Sequence, residues 1–123
     1  MSLFQFGLIL ANTLMLVTGQ FLWKYGLMQR DKPFESLRTI IELMFSPYIL
    51  GGLMIYGFAT VLWLYIVSKV DLSLAYPIQS LAYIISIFGA YYIFGESLSA
   101  LKIVGCLLIL AGVACIGLSA RYA

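Results

Sequence analysis

"LAYPIQSLAYIISIFGAYY", residues 74–92, decides the fold. The stretch is apolar enough to span a membrane, yet it carries a proline, a glutamine, two serines and four tyrosines. On a helix Tyr76, Gln79, Tyr83, Ser86 and Ala90 fall on one stripe, at offsets of 3, 7, 10 and 14 residues from Tyr76, with Ser80 beside it. Leu81, Ile84, Ile85 and Phe88 point elsewhere. Polar side chains in hydrocarbon are costly unless they meet a partner or a wet cavity. The stripe is therefore predicted to face protein or water while the rest faces lipid. Pro77 is placed in the first turn of this helix or just after it, where its missing N–H costs least.

Working outward, three more runs have the length of a span. At about 1.5 Å per residue, roughly 20 residues cross a ~30 Å hydrocarbon core. The spans are expected at about 3–25, 47–68, 74–94 and 98–120. Ser46 and Pro47 make an N-cap and first helical position for the second. The joints "SKVDLS" and "GES" are short enough to force antiparallel neighbours. The long first joint carries Phe34, Leu37, Ile41 and Met44 at helical spacing and an Arg38–Glu42 pair, which predicts an interfacial helix over about 33–45, with a solvated loop as the alternative.

Composition agrees. Of the 123 residues 63% are hydrophobic and 10% charged, there is no histidine, and the net charge is +2. Lipid is the natural solvent for such a chain, and one domain is the most this length supports. Nucleic-acid binding has no basic run to support it. The N-terminal run has neither a basic n-region nor a small-residue cleavage site, so it is expected to be a retained first span. Lys24, Arg30, Lys32, Arg38 and Lys102 fall on one side of the expected topology and Lys69 and Arg121 on the other, five against two. This places the long joint in the cytoplasm and both termini outside, with dual insertion left open.

Two other spans carry semi-polar faces: Asn12, Gly19, Gln20 and Lys24 in the first, with Thr13 nearby, and Gly52, Tyr56, Thr60 and Trp63 in the second. These faces serve either as interhelical hydrogen-bond contacts or as the walls of a shared substrate cavity. The candidate cavity residues are Asn12, Gln20, Lys24, Tyr56, Thr60, Trp63, Tyr76, Gln79, Tyr83 and Ser86. Lys24 is either a snorkelling anchor or an anion site, Glu96 a turn or capping residue, and Trp63 either a cavity or a belt aromatic. The fourth span instead sets Gly105, Gly112 and Ser119 at seven-residue spacing, a seam for close helix approach and a candidate dimer interface. Cys106 and Cys115 lie about 180° apart on that helix, so an intrahelical disulfide is excluded, and both are packing residues.

No histidine, metal-ligand cluster, Gly-rich phosphate loop or activated nucleophile is present, so neither catalysis nor a cofactor or metal is expected.

Residues 72–117 resemble the drug/metabolite transporter superfamily, with its four-helix EamA-like and small multidrug resistance members. "AYP" opening span three, the "GE.LS" turn and "G..LI.AGV" in span four carry the likeness, and "GQFLWK" (Gly19–Lys24) extends it into span one. The resemblance implies an all-α, four-helix integral membrane bundle, dimeric, in the bacterial cytoplasmic membrane. Small multidrug exporters use a membrane-embedded glutamate in span one, where this chain has Leu16, and an aromatic in span three, where it has Gln79. Subunits that flip undecaprenyl-phosphate-linked aminoarabinose share "GQ...K", "AYP" and the "E..S" turn and lack the acid. The resemblance to them implies translocation of a polyprenyl-phosphate-linked sugar or similar amphiphile, with a homodimeric or heterodimeric four-helix partner. A drug exporter and a non-transporting structural subunit are the alternatives.

Overall fold

The computed structural model describes residues 3–29, 32 and 34–122. The helices in chain order are α1 (Leu3–Met28), α2 (Leu37–Met44), α3 (Pro47–Lys69), α4 (Leu72–Gln79), α5 (Leu81–Phe94) and α6 (Ala100–Tyr122). No strand occurs among the described residues. Taking α4 and α5 together as one span, four stretches are long and apolar enough to cross a membrane. Helices are the economical answer to this sequence, because hydrocarbon offers no partner to a backbone that does not bond within its own segment. The protein is an all-α integral membrane bundle.

The third span departs from its expected form. It starts at Leu72 rather than Leu74, which puts Pro77 inside α4 instead of in its first turn. Proline offers no amide to the Ser73 carbonyl and crowds it, so the helix fails there. The Ser80 amide and the Tyr83 amide then make i→i−3 bonds, to Pro77 O at 3.0 Å and Ser80 O at 3.0 Å. The Ser80 hydroxyl also donates to the Pro77 carbonyl. That tight turn separates α4 from α5.

At the other ends the shifts are small. α1 runs on to Met28, α3 to Lys69, and α6 starts at Ala100. Ser46 caps α3 in extended conformation with Pro47 in the first turn, although its side chain makes no capping bond. Of the expected interfacial segment, Leu37–Met44 is helical, opened by a capping box in which Ser36 and Thr39 exchange hydrogen bonds; Pro33 lies outside the described residues. Leu43 is buried against the bundle, whereas Phe34, Leu37, Ile41 and Met44 are exposed. Arg30 and the Arg121 side chain, both used in the charge count, also fall outside the description.

α1 and α3 form the tightest pair. Lipid tails are as apolar as leucine, so contact depends on shape, and glycines let two backbones close up. A Cβ on Gly19 would stand 2.7 Å from the Tyr56 ring and one on Gly26 2.8 Å from Tyr48 Cβ. One on Gly52 would strike the Trp23 indole. Trp23 itself stacks on Tyr56 at 4.5 Å and 15°, and its Nε1–H donates to Ile49 O at 3.1 Å. The core proper sits where α1 and α4 begin and α3 ends. There Ile9, Ile66, Val70, Ala75 and Ile78 pack together, between 0% and 7% exposed. α6 is the outlier, with only 6% of its spanning window buried.

Candidate functional site

Between α1 and the α4–α5 span lies a cavity of about 740 Å³. Its walls follow from helix phase. α1 supplies Leu16, Val17, Gln20, Phe21 and Lys24, which share one side of the helix. α4 and α5 supply Tyr76, Gln79, Ser80, Tyr83, Ser86 and Ala90, so every member of the predicted stripe lines it despite the break. α3 contributes only Tyr56. The Gln20 side-chain amide donates to the Tyr56 hydroxyl at 2.5 Å. With one of its lone pairs so occupied, the phenol retains its proton to donate to a guest.

The cavity is asymmetric along the membrane normal. Toward the end where α1 and α5 finish and α6 begins, it is lined by Lys24, Phe94, Glu96 and Lys102. At the opposite end the Ile9–Ile66–Val70–Ala75–Ile78 cluster fills the bundle. Near the charged end Phe21 meets Phe94 edge-on at 5.6 Å, and Gly89 makes room for the Phe21 ring, which a Cβ there would strike. Tyr76 and Tyr83 are both 65% exposed. That flank of the crevice has no further wall among the described residues.

Several candidates lie elsewhere. Asn12 is fully buried, and among the described residues neither its amide nitrogen nor its oxygen has a partner. Thr60 turns back on its own helix, donating to Tyr56 O at 2.8 Å. Trp63 packs against the aliphatic cluster and meets Tyr76 edge-on at 6.2 Å. On the semi-polar face of α3, Gly52 and Tyr56 pack against Trp23 of α1. On α6, Gly112 and Ser119 are exposed and Gly105 half-buried. A Cβ on Gly105 or Gly112 would meet nothing within 4 Å.

Residues 4–118, nearly the whole chain, match the EamA-like transporter family. The chain belongs to that family. Similar proteins include the "probable 4-amino-4-deoxy-L-arabinose-phosphoundecaprenol flippase subunit ArnE" of Sodalis glossinidius (strain morsitans), 30% identical over 91% of this chain and 96% of its own length. The subunit of the same name from Pseudomonas aeruginosa (strain LESB58) is 31% identical over 93% of this chain and 97% of its own. A flippase subunit ArnF from Serratia proteamaculans (strain 568) is 31% identical over 84% of each chain. No solved structure matches. Family membership and the four apolar helices make this an integral protein of the bacterial inner membrane.

For an EamA-like transporter, the residues that sequence reasoning missed are informative. Lys102 counted only as a topology charge, yet it lines the cavity. Its ammonium is held by the Ser97 carbonyl at 2.7 Å. Glu96 stands in the α5–α6 turn as expected, but the turn is made by Gly95 at φ 69°, a left-handed conformation that suits glycine. The cap of α6 is Ser99, whose hydroxyl accepts from the Lys102 amide at 3.2 Å. The Glu96 side chain takes neither task, while its backbone amide helps close the α5 end by bonding to Ala90 O at 3.2 Å. Its signal was its place one residue beyond a helix-ending glycine, on the same end as Lys24.

Proposed function

We propose that this protein is a non-enzymatic transporter subunit that moves a polyprenyl-phosphate-linked sugar, or a similar amphiphile, across the inner membrane. The observation that carries this is the cavity itself, with charged groups toward one end and neutral hydrogen-bonding and aromatic groups along the rest. A lipid phosphate needs a cation near the interface, which Lys24 supplies. A sugar needs hydroxyls, amides and ring faces, which Tyr56, Tyr76, Gln79, Tyr83 and Ser86 supply. The printed names of the relatives, an aminoarabinose-phosphoundecaprenol flippase, describe a cargo of that construction.

The chain acts as one four-helix domain paired with a second four-helix subunit, identical or related. The unwalled flank beside Tyr76 and Tyr83 supports such a partner, as does the likeness to flippase subunits of two names, ArnE and ArnF. The Lys/Arg imbalance of five against two supports a cytoplasmic placement of the charged end, where the cargo would enter, with dual insertion left open.

The test is head-group translocation in liposomes holding the protein with its partner. Lys24→Ala is expected to weaken cargo affinity roughly tenfold to hundredfold and Lys24→Arg to retain most of it. Full activity in Lys24→Ala, together with strict dependence on a pH gradient, would favour a proton-coupled exporter instead.

A further inference from the structure

Among the described residues, Asn12 alone buries side-chain polar atoms that have no partner. Buried hydroxyls escape that cost through their own helix. Thr13, as fully buried as Asn12, donates to Ile9 O at 2.8 Å. Thr18 and Thr60 likewise donate to the carbonyls four residues back. The Asn12 amide makes no such bond, and its donor and its acceptor are both unmet inside an apolar bundle.

The position of Asn12 gives this cost a direction. On α1 the cavity is lined from Leu16 onward, and on α4 from Tyr76 onward. In the two turns of α1 before Leu16, Ile9, Asn12 and Thr13 are fully buried. Ile9 packs there with Ile66, Val70, Ala75 and Ile78. Cargo that enters at the charged end and leaves through the bundle at the other must part this packing. Parting it costs the aliphatic side chains their burial but gives the Asn12 amide water or a head group to bond. Asn12 thus opposes a closure that its neighbours favour. From this we infer that Asn12 is a positioning residue for transport, whose unmet amide keeps the closed packing at this end close in free energy to an open form. The inference rests on the proposed transport of a lipid-linked sugar and names the residue that sets how often the end opposite Lys24 opens. A penalty borne only by the closed form raises the open fraction, here by about tenfold.

The first arm of the test needs no cargo. A cysteine replaces Ala75, which is fully buried in the same cluster, in a chain with Cys106 and Cys115 replaced and its partner present in liposomes. The readout is the rate of reaction with a membrane-impermeant maleimide supplied on both faces of the bilayer. Asn12→Leu and Asn12→Thr should each slow it about tenfold. The threonine belongs with the leucine because its hydroxyl can donate to Leu8 O, as Thr13 does to Ile9 O. In the second arm, both variants should lower the maximal rate of head-group translocation by the same factor while equilibrium affinity for the lipid-linked sugar is kept. A residue that only misfits its surroundings would leave labelling and turnover unaltered. Unchanged labelling in both variants, or no labelling with Asn12 in place, overturns the inference and puts the cargo's route along the Tyr76–Tyr83 flank, while transport stands. Faster labelling also overturns it, because the amide then holds the closed form together. Slowed labelling in a protein that moves no lipid-linked sugar overturns the transport reading and leaves the effect of Asn12 on opening in place.

Discussion

Asn12 sets the terms at the scale of single residues. A fully buried amide with both polar atoms unpartnered forgoes hydrogen bonds worth about 1–3 kcal/mol of desolvation. Asn12→Leu, similar in size and free of polar atoms, is expected to raise thermal stability in detergent by that order. A lower melting temperature would show that the amide has a partner in the folded protein. Gly52 marks the opposite case. An alanine methyl there must displace the Trp23 indole, which stacks on Tyr56 and donates to Ile49 O. Gly52→Ala should therefore destabilise by about 1–3 kcal/mol, the usual range for overpacking. Because Tyr56 is a cavity wall, cargo affinity should fall with it. Melting and binding measured on the same preparation check both halves.

Among elements, the α4–α5 span shows what periodicity can and cannot reveal. Tyr76, Gln79, Tyr83, Ser86 and Ala90 were legible as a lining stripe because the single tight turn at Ser80 leaves the helical phase nearly unchanged across it. The break was not legible. Whether Pro77 is silent or disruptive depends on two residues at the helix start, and apolar flanks such as Leu72 and Leu74 do not say where a helix begins. The face of α3 stayed ambiguous for another reason: Gly52, Tyr56, Thr60 and Trp63 have the same spacing whether they meet a cavity or a partner helix. Only the complementary glycines of α1 decide it. Pro77→Ala gives the Ser73 carbonyl a potential amide partner. It should fuse α4 and α5 into one helix, stabilising the protein by up to ~3 kcal/mol. Oriented-sample infrared or spin-label distances across Ser80 would show a straight span if so, and an unchanged bend if the turn is set by tertiary packing.

For the molecule as a whole, orientation and assembly are open to direct measurement. A cysteine at Glu35, in a chain with Cys106 and Cys115 replaced, should resist a membrane-impermeant thiol reagent in intact cells. Labelling of half the molecules would reveal dual insertion. On α6, the space beside Gly112 is empty, so Gly112→Leu should leave the isolated subunit's melting unchanged while reducing crosslinked dimer. Undiminished crosslinking would move the interface to the unwalled flank by Tyr76 and Tyr83.

The aliphatic cluster of Ile9, Ile66, Val70, Ala75 and Ile78 has an electrical meaning as well as a packing one. Water filling the crevice from one side would carry that side's potential, and a larger share of the transmembrane voltage would then fall across the cluster. Each elementary charge crossing it exchanges about 2.3 kcal/mol per 100 mV. The five buried side chains, with the partly buried hydrophobics packed against them, would form that barrier. Ile78→Ser should leave the helices intact yet raise passive proton conductance in vesicles clamped with valinomycin, a leak that the bacterium would register as a loss of proton-motive force.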